Sequence, residues 1–204
     1  MFIREEAFPF AGPLAVSGVV CAAAGAWAAG AAFLAAAAAV CAFFRDPERT
    51  GPAQDALILS PADGRLLPVV REGGRVRLSV FMSVFNVHVN RAPWPGRVAS
   101  VTYHPGRFMA AWKDKASLDN EQVRTVWDTA RGPLEVVQIA GLIARRIVSW
   151  VAEGREFARG DRIGLIRFGS RVDLYVPEGE VDLLGREGEQ VRAGVTPLAR
   201  WRDR

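Results

Sequence analysis

The residues best suited to chemistry in this 204-residue chain are Gly169 and the serine that follows it, Ser170. A serine hydroxyl placed directly after a glycine can attack the preceding peptide carbonyl, because glycine has no Cβ in the way and tolerates a strained backbone. The attack needs a base that takes the hydroxyl proton and donors that stabilise the oxyanion. The pair also lies between two strand-like runs, so a two-residue hairpin turn or a bulge is the structural alternative.

Two polar segments could supply the base. His88 lies in FMSVFNVHVNRAPWPG (81–96) together with Arg91, and histidine is the commonest general acid or base near neutral pH. Asp63 lies in SPADG (60–64), where an aspartate before a glycine is commonly a turn residue that bonds its own backbone. A structural role is therefore the alternative for both residues.

The other reactive side chains favour neither a metal site nor a lysine-based mechanism. His104 precedes a proline and is expected at the end of a strand. The cysteines, Cys21 and Cys41, form no CxxC motif, so we expect no metal site. The two lysines, Lys113 and Lys115, lie in a polar WKDK stretch, which disfavours a lysine Schiff base with pyridoxal phosphate.

An apolar N-terminal segment precedes these motifs. No charged residue occurs between Ala7 and Phe44, and the apolar run 14–44 exceeds the roughly 20 residues of one membrane span but is too short for two. We expect residues 1–44 to be a membrane anchor, either a single tilted span or a short helical hairpin in one leaflet. Both interpretations favour a cytoplasmic location for the rest of the chain, because Arg45 and Arg49 follow the run. The long apolar core and the mixed-charge leader disfavour a cleaved signal peptide.

The rest of the chain predicts a β-rich domain. Residues 45–56 are polar and contain two prolines, as in a linker, and residues 57–204 form the predicted domain. A helical stretch is expected at 108–122. The predicted architecture is mainly antiparallel β, a sandwich or partly open barrel with some α. The strand-like runs are GRLLPVV (64–70), RVRLSVFM (75–82), RVASVTY (97–103), QVRTVWDT (122–129), LEVVQIA (134–140), ARRIVSWVA (144–152), DRIGLIRF (161–168) and RVDLYVP (171–177).

The charge pattern is mildly basic. The net charge is +4, and no run of five or more basic residues occurs. Such a domain beside an apolar anchor suits an anionic lipid surface, and an ordinary soluble basic surface is the alternative. We expect no nucleic-acid partner.

Six segments, in this order and at these spacings, resemble phosphatidylserine decarboxylase proenzymes, especially the short bacterial and archaeal branch. They are FFRDPER, SPADG, FNVHVNRAP, YHPG, IAGLIARRI and RFGSRVDLYVP, and they extend from about Phe43 to Val176. The resemblance implies an inactive precursor, a zymogen, that cuts itself between Gly169 and Ser170. The products would be a β chain of residues 1–169 and an α chain of residues 170–204, which stay associated.

The resemblance also implies the cofactor and the reaction. Ser170 would become an N-terminal pyruvoyl group, with no metal and no pyridoxal phosphate. Its ketone would form a Schiff base with the amine of phosphatidylserine and accept electrons as carbon dioxide leaves. The product would be phosphatidylethanolamine, which makes this a step of phospholipid biosynthesis at the cell membrane, with the catalytic domain on the cytoplasmic side. The family is also compatible with a homodimer.

The family's self-cleavage uses an Asp–His–Ser set, which matches Asp63, His88 and Ser170. Larger relatives carry a second histidine three residues after the first, where this chain has Arg91. Either His88 therefore serves both cleavage and decarboxylation, or Asp63 acts more directly. Arg91 and His104 are the candidates for substrate binding.

Two other functions fit the same sequence. The same chemistry on another serine-headed lipid, such as archaetidylserine, needs the same motifs. A non-catalytic, membrane-tethered β domain that binds a partner would have no reason to cut itself at the glycine–serine pair, so self-cleavage distinguishes it from an enzyme.

Overall fold

The computed structural model describes residues 2–106, 120–141, 146–167 and 169–203. The chain divides into two compact units, Met1–Glu48 and Arg49–Arg204. Strands dominate, the sheets are open, and every strand pair formed by the described residues is antiparallel. The predicted fold class, mainly antiparallel β with an apolar helical N-terminus, is confirmed.

The first unit is a helical hairpin. Its elements in chain order are strand β1 (Phe2–Ile3), a 3-10 turn (Glu5–Ala7), helix α1 (Phe8–Ala23), helix α2 (Trp27–Phe43) and strand β2 (Arg45–Asp46). Strand β1 pairs antiparallel with β2, so the two ends of the hairpin meet. Among the described residues, the helical stretch Glu5–Ala23 is long and apolar enough to cross a membrane by length and composition alone, whereas α2 is shorter.

A glycine turn divides the apolar run into two helices. Gly25 adopts a left-handed conformation with φ of +81°, and its N–H bonds to the carbonyl of Ala22 at 3.0 Å. The next N–H, from Ala26, bonds to the carbonyl of Cys21 at 2.9 Å. These two bonds form the Schellman motif that ends many helices. The chain therefore reverses at this turn, as the hairpin interpretation requires.

Two further glycines let the helices approach closely. A Cβ at Gly18 would lie 2.8 Å from Leu34 Cγ, and a Cβ at Gly30 would lie 2.9 Å from the carbonyl oxygen of Gly18. Small residues at such crossings allow backbones to pack in contact, which is the usual mode of helix association in lipid.

The second unit consists of antiparallel sheets. Its described strands are β3 (Leu57–Leu59), β4 (Gly64–Leu66), β5 (Val70–Glu72), β6 (Arg75–Met82), β7 (Val89–Arg91), β8 (Gly96–His104), β9 (Gln122–Asp128), β10 (Leu134–Ala140), β11 (Ile147–Ser149), β12 (Glu156–Phe157), β13 (Arg162–Ile166), β14 (Ser170–Pro177), β15 (Val181–Leu183), β16 (Gln190–Val191) and β17 (Pro197–Trp201), with a 3-10 turn at Glu178–Glu180. A nine-stranded sheet has the order β12-β8-β9-β10-β14-β6-β4-β16, with β5 also paired to β6. Two three-stranded sheets have the orders β11-β13-β7 and β15-β17-β3.

Most long strands lie where the sequence predicts them. Strands β6 and β10 coincide with the predicted runs, and β14 begins one residue earlier, at Ser170. The run 64–70 divides into two strands, β4 and β5, around a proline that has no N–H to donate to a ladder. Of the described part of the run 144–152, residues 146–152, three residues form a strand, β11.

The remaining differences concern short elements. Strands β3, β7, β12, β15, β16 and β17 were not predicted, because two to five residues are too few for a clear alternation. Residues 108–119 of the predicted helix lie outside the described residues, and Gln122 begins β9. The predicted linker contributes its first two residues to β2, and the boundary between the two units falls after Glu48.

The centre of the nine-stranded sheet is buried on both faces. All seven residues of β10 are buried, as are six of the eight in β14. Buried apolar side chains from these strands and their neighbours form one continuous core that includes Leu78, Trp127 and Leu174. Polar residues on the central strands are therefore held away from water, which is unusual unless they are paired.

Candidate active site

Ser170 is fully buried at the first position of β14. Its strand lies between β10 and β6, where Ser170 is opposite Ala140 on one side and Met82 on the other. The hydroxyl contacts the thioether sulfur of Met82, with Oγ 3.4 Å from Sδ. A thioether is a weak acceptor, so this contact holds the hydroxyl only loosely.

Gly169 holds the backbone in an unusual conformation just before this serine. Its φ is +61°, in the left-handed region that side chains disfavour. A Cβ added there would meet no atom within 4 Å. The glycine is thus required by the conformation of the backbone and not by lack of space.

The hairpin-turn interpretation of this glycine–serine pair is wrong. The strand before the pair, β13, pairs with β11 and β7, whereas the strand after it, β14, pairs with β10 and β6. The chain passes from one sheet to another at Gly169–Ser170. The bond between these residues is therefore a junction between two sheets and not the tip of a ribbon.

His88 is buried just before β7. Its ring Nδ1 lies 3.0 Å from the carbonyl oxygen of Asn86, and since a carbonyl can only accept, Nδ1 is the donor. A neutral ring then carries its lone pair on Nε2, the form that a general base needs. The carbonyl of His88 accepts from the N–H of Ile166 at 3.3 Å, three residues before Gly169. The structure therefore brings the histidine segment next to the segment that leads into the glycine–serine pair.

A buried polar network that the sequence did not reveal links the two sheets near Ser170. Gln138 on β10 donates from Nε2 to Oδ1 of Asn90 on β7 at 2.8 Å, and Nδ2 of Asn90 lies 3.7 Å from the sulfur of Met82. That sulfur is the one contacted by the Ser170 hydroxyl. Polar residues inside mostly apolar runs, such as Gln138 in LEVVQIA, were the signal that could have identified the network.

Asp63 is buried, and its two oxygens have different partners. Oδ2 pairs with Nη2 of Arg49 at 2.8 Å, and Oδ1 accepts the N–H of Ala193 at 2.8 Å. Neither partner is one of the predicted catalytic residues. The segment around Asp63 nevertheless adjoins β7, because the carbonyl of Pro61 accepts the N–H of Arg91 at 2.9 Å.

The two predicted substrate-binding residues lie in different places. Arg91 is buried at the end of β7, where its guanidinium donates to the carbonyl of Gly160 at 2.9 Å. His104 is exposed at the end of β8, which is the strand end predicted for it. Three strand spacings separate β8 from β14, or about 14 Å at the usual 4.8 Å per strand. The structure therefore does not bring His104 to Ser170.

A buried carboxylate lies at the same end of the sheet and was also not predicted. Glu121 accepts a hydrogen bond from the hydroxyl of Tyr103 at 3.2 Å, and its backbone carbonyl accepts the N–H of Ala140, which is opposite Ser170. Desolvation and then the negative charge of Glu121 raise the pKa of Tyr103 above its usual value. The tyrosine therefore remains a neutral donor at physiological pH.

The described residues contain no group of three or more histidine, cysteine, aspartate or glutamate side chains that could hold a metal ion. The groups that the structure places around the Ser170 hydroxyl are the thioether of Met82 and, beyond it, the amides of Asn90 and Gln138.

Comparison with known proteins gives consistent matches. The family model for phosphatidylserine decarboxylase matches residues 36–199. A phosphatidylserine decarboxylase proenzyme from Azorhizobium caulinodans is 50% identical, over 77% of this chain and 71% of that protein. The matched region includes every candidate catalytic residue.

Proposed function

The chain belongs to the phosphatidylserine decarboxylase family, and on that premise we propose that it decarboxylates phosphatidylserine after cutting itself between Gly169 and Ser170. The observation that carries the proposal is a left-handed glycine directly before a fully buried serine, at the junction of two sheets. The glycine leaves the carbonyl before Ser170 uncrowded and in a backbone conformation that residues with a side chain disfavour.

The proposed cleavage is an acyl shift followed by an elimination. Ser170 Oγ attacks the carbonyl carbon of Gly169, the peptide C–N bond breaks, and the hydroxyl proton passes to the released amine, so that an ester joins the two residues. Loss of the Ser170 α-proton then expels the Gly169 carboxylate. Water hydrolyses the remaining enamine to a ketone and releases ammonia, which leaves a pyruvoyl group at the start of the α chain.

His88 is the proposed base for the first step. The bond from its Nδ1 to the carbonyl of Asn86 fixes the ring and assigns the lone pair to Nε2. Asp63 is held by Arg49 and by the N–H of Ala193, which suits a residue that supports the neighbouring backbone more than one that moves a proton. Of the two possibilities for this chain, the one in which His88 serves both cleavage and decarboxylation is therefore favoured.

The residues around Ser170 fit a pyruvoyl group. Serine supplies its three carbons, the preceding glycine supplies the leaving carboxylate, and the burial of Ser170 excludes bulk water from the ketone. A pyruvoyl ketone supplies the electron sink that decarboxylation of an amino acid head group requires. Around it, the thioether of Met82 and the amides of Asn90 and Gln138 form a largely desolvated wall.

Cleavage at this position leaves the sheets intact, which supports an association of the α and β chains. After the cut, β14 keeps its register with β6 over eight residues and with β10 over six. Strands β16 and β17 of the α chain keep their pairing with β4 and β3 of the β chain. The two chains would therefore separate only on global unfolding.

We further propose that the N-terminal hairpin holds the enzyme on the cell membrane, with the catalytic domain in the cytoplasm. Helix α1 has 16 residues and α2 has 17, about 24–26 Å at 1.5 Å per residue, against a hydrocarbon core of about 30 Å. Each helix is thus a few ångströms shorter than the core, which favours a hairpin that enters and leaves the membrane on the same face. Arg45, at the end of the hairpin, would remain at the lipid surface.

The test is the intact mass of the purified full chain beside its Ser170→Ala variant, followed by turnover of phosphatidylserine. We expect two chains from the native sequence, broken after Gly169, with the α chain lighter by one ammonia than a chain that begins with serine. We expect one uncut and inactive chain from the variant. An uncut native chain without turnover would contradict the proposal. Cleavage with turnover only of another serine-headed lipid would change the substrate and leave the chemistry standing.

A further inference from the structure

The exposed apolar side chains of the second unit concentrate at one end of the nine-stranded sheet. Among its described residues, the large hydrophobic side chains that face solvent are Phe85 (83% exposed), Tyr103 (56%), Val84 (45%) and Leu184 (40%). The first three lie at the end of the sheet where Ser170 begins its strand, and Leu184 follows β15 in a different sheet.

The strand register establishes that these three residues share one edge. The last residue of β8, His104, begins a row of directly opposed residues that crosses the sheet to β6; the row continues through Gln122, Ile139, Arg171 and Phe81. Tyr103 precedes His104 on β8. Val84 and Phe85 follow the end of β6 after one residue, Ser83. The apolar edge, defined here as Val84, Phe85 and Tyr103, therefore spans roughly 20 Å at about 4.8 Å per strand.

Hydrogen bonds hold the Phe85 part of the apolar edge in a fixed turn. The Oδ1 of Asn86 accepts from both the N–H and the hydroxyl of Ser83, at 2.9 and 2.8 Å, and the N–H of Asn86 bonds to the carbonyl of Ser83 at 3.0 Å. The turn therefore holds Val84 and Phe85 in a fixed, solvent-exposed position. The same turn provides the carbonyl that holds the ring of His88, so the apolar tip is continuous with the candidate active site.

We propose that the apolar edge inserts into the membrane interface from which the enzyme takes its lipid. This inference rests on the proposed function, because the acyl chains of phosphatidylserine remain in the bilayer while its serine head group must reach Ser170. Phenylalanine and valine gain by leaving water for the acyl region. Tyrosine is enriched at the head-group level of membranes, and the ring of Tyr103 is exposed at this edge while its hydroxyl donates to Glu121. Because the proposed substrate is a lipid that stays in the membrane, the partner that this edge of the domain would meet is a lipid bilayer.

The first test reads insertion without any catalysis. The full chain with Cys21→Ala and Cys41→Ala receives Phe85→Cys, or Leu184→Cys as the matched control, and each is labelled with an environment-sensitive fluorophore. On vesicles of phosphatidylcholine and phosphatidylserine, we expect a blue shift and strong quenching by brominated acyl chains at position 85 and neither at 184. Equal spectra at the two positions would overturn the inference, even if the enzyme were active.

The second test separates membrane docking from a role in the chemistry. We expect Phe85→Ser to cleave itself fully, to lose about tenfold in rate on vesicle phosphatidylserine, and to keep its rate on a short-chain, monomeric phosphatidylserine. Leu184→Ser should keep both rates. An equal loss on both substrates, or no loss on vesicles, would overturn the inference. If the native chain decarboxylated neither substrate, the proposed function would fail, and the fluorescence result alone would decide whether the apolar edge binds lipid.

Discussion

At the scale of single residues, the position of Gly169 directly before Ser170 distinguishes it from the other glycines of positive φ. A left-handed residue directly before a nucleophile holds the carbonyl in an orientation that a residue with a side chain adopts only at a cost of about 1–2 kcal/mol. The surrounding space is open, so replacing this glycine tests the conformation alone.

We predict that Gly169→Ala slows self-cleavage about tenfold, because a cost near 1.4 kcal/mol corresponds to a factor of ten in a rate. Gly73→Ala is the matched control, since Gly73 also has a positive φ, +59°, and equally open surroundings, in the turn between β5 and β6. Both variants should lose similar thermal stability, and only the first should accumulate uncut chain. A time course by intact mass measures this, and equal cleavage rates would exclude a role for the conformation.

His88 is the second residue whose role can be isolated. We predict that His88→Ala lowers self-cleavage, or turnover of the cleaved fraction, by about 10²–10⁴, the usual contribution of a general acid or base. His104→Ala is the control for cleavage, because the other histidine of the chain lies three strands away from β14. Native rates of both cleavage and turnover in His88→Ala would remove this histidine from the mechanism.

The role of the ion pair between Asp63 and Arg49 can be tested by replacing each partner in turn. Both side chains are largely buried, and breaking such a pair from either side typically costs about 3–5 kcal/mol. We predict that Asp63→Asn and Arg49→Gln lower the melting temperature alike and that both still cleave when assayed well below it. Loss of cleavage in Asp63→Asn alone would instead assign Asp63 a direct part in the chemistry.

At the scale of elements, the junction between two sheets is stabilised by the amide pair of Gln138 and Asn90. Their side chains are buried and joined at 2.8 Å, and they connect β10 of the large sheet with β7 of a small one. A buried amide that loses its partner costs about 1–3 kcal/mol, whereas removal of both partners can be nearly neutral.

We therefore predict strong coupling between these two positions. Asn90→Leu and Gln138→Leu should each destabilise the protein by about 1–3 kcal/mol, and the double variant should lose clearly less than their sum. The measurement is denaturant unfolding in a Ser170→Ala background, so that every variant is one uncut chain. Additive losses would mean that the hydrogen bond contributes nothing specific to the junction.

At the scale of the whole molecule, the N-terminal hairpin makes a testable statement about the proposed membrane topology. Pairing of β1 with β2 brings Phe2 to Asp46, so a hairpin leaves the N-terminus and the start of the second unit on the same side. A single span would place them on opposite sides.

We predict that protease-cleavable tags at the N-terminus and the C-terminus are accessible to protease from the same side of the membrane. In inverted membrane vesicles both tags should be cleaved, and in intact spheroplasts both should be protected. Accessibility of one tag from each side would contradict the hairpin and restore the single span.

The sequence alone determined the features that depend on residues close together in the chain. The glycine–serine pair, the period-two alternation of β6, the mostly apolar run of β10 and the charge-free N-terminal segment are local patterns, and each predicted its element or motif. Together with the resemblance of the ordered motifs, they predicted the fold class and the family. The end of β8 at His104 followed in the same way from the proline that comes next.

Only the tertiary structure decided the features that depend on contacts between residues distant in sequence. The contact between Ser170 and Met82 joins residues 88 positions apart, and the Gln138–Asn90 bond joins residues 48 apart. Local patterns do not encode which strands pair, because side-chain alternation is the same whichever neighbour a strand finds. The sequence therefore could not reveal that β13 and β14 belong to different sheets, and this separation is what places Gly169–Ser170 at a junction instead of a hairpin tip.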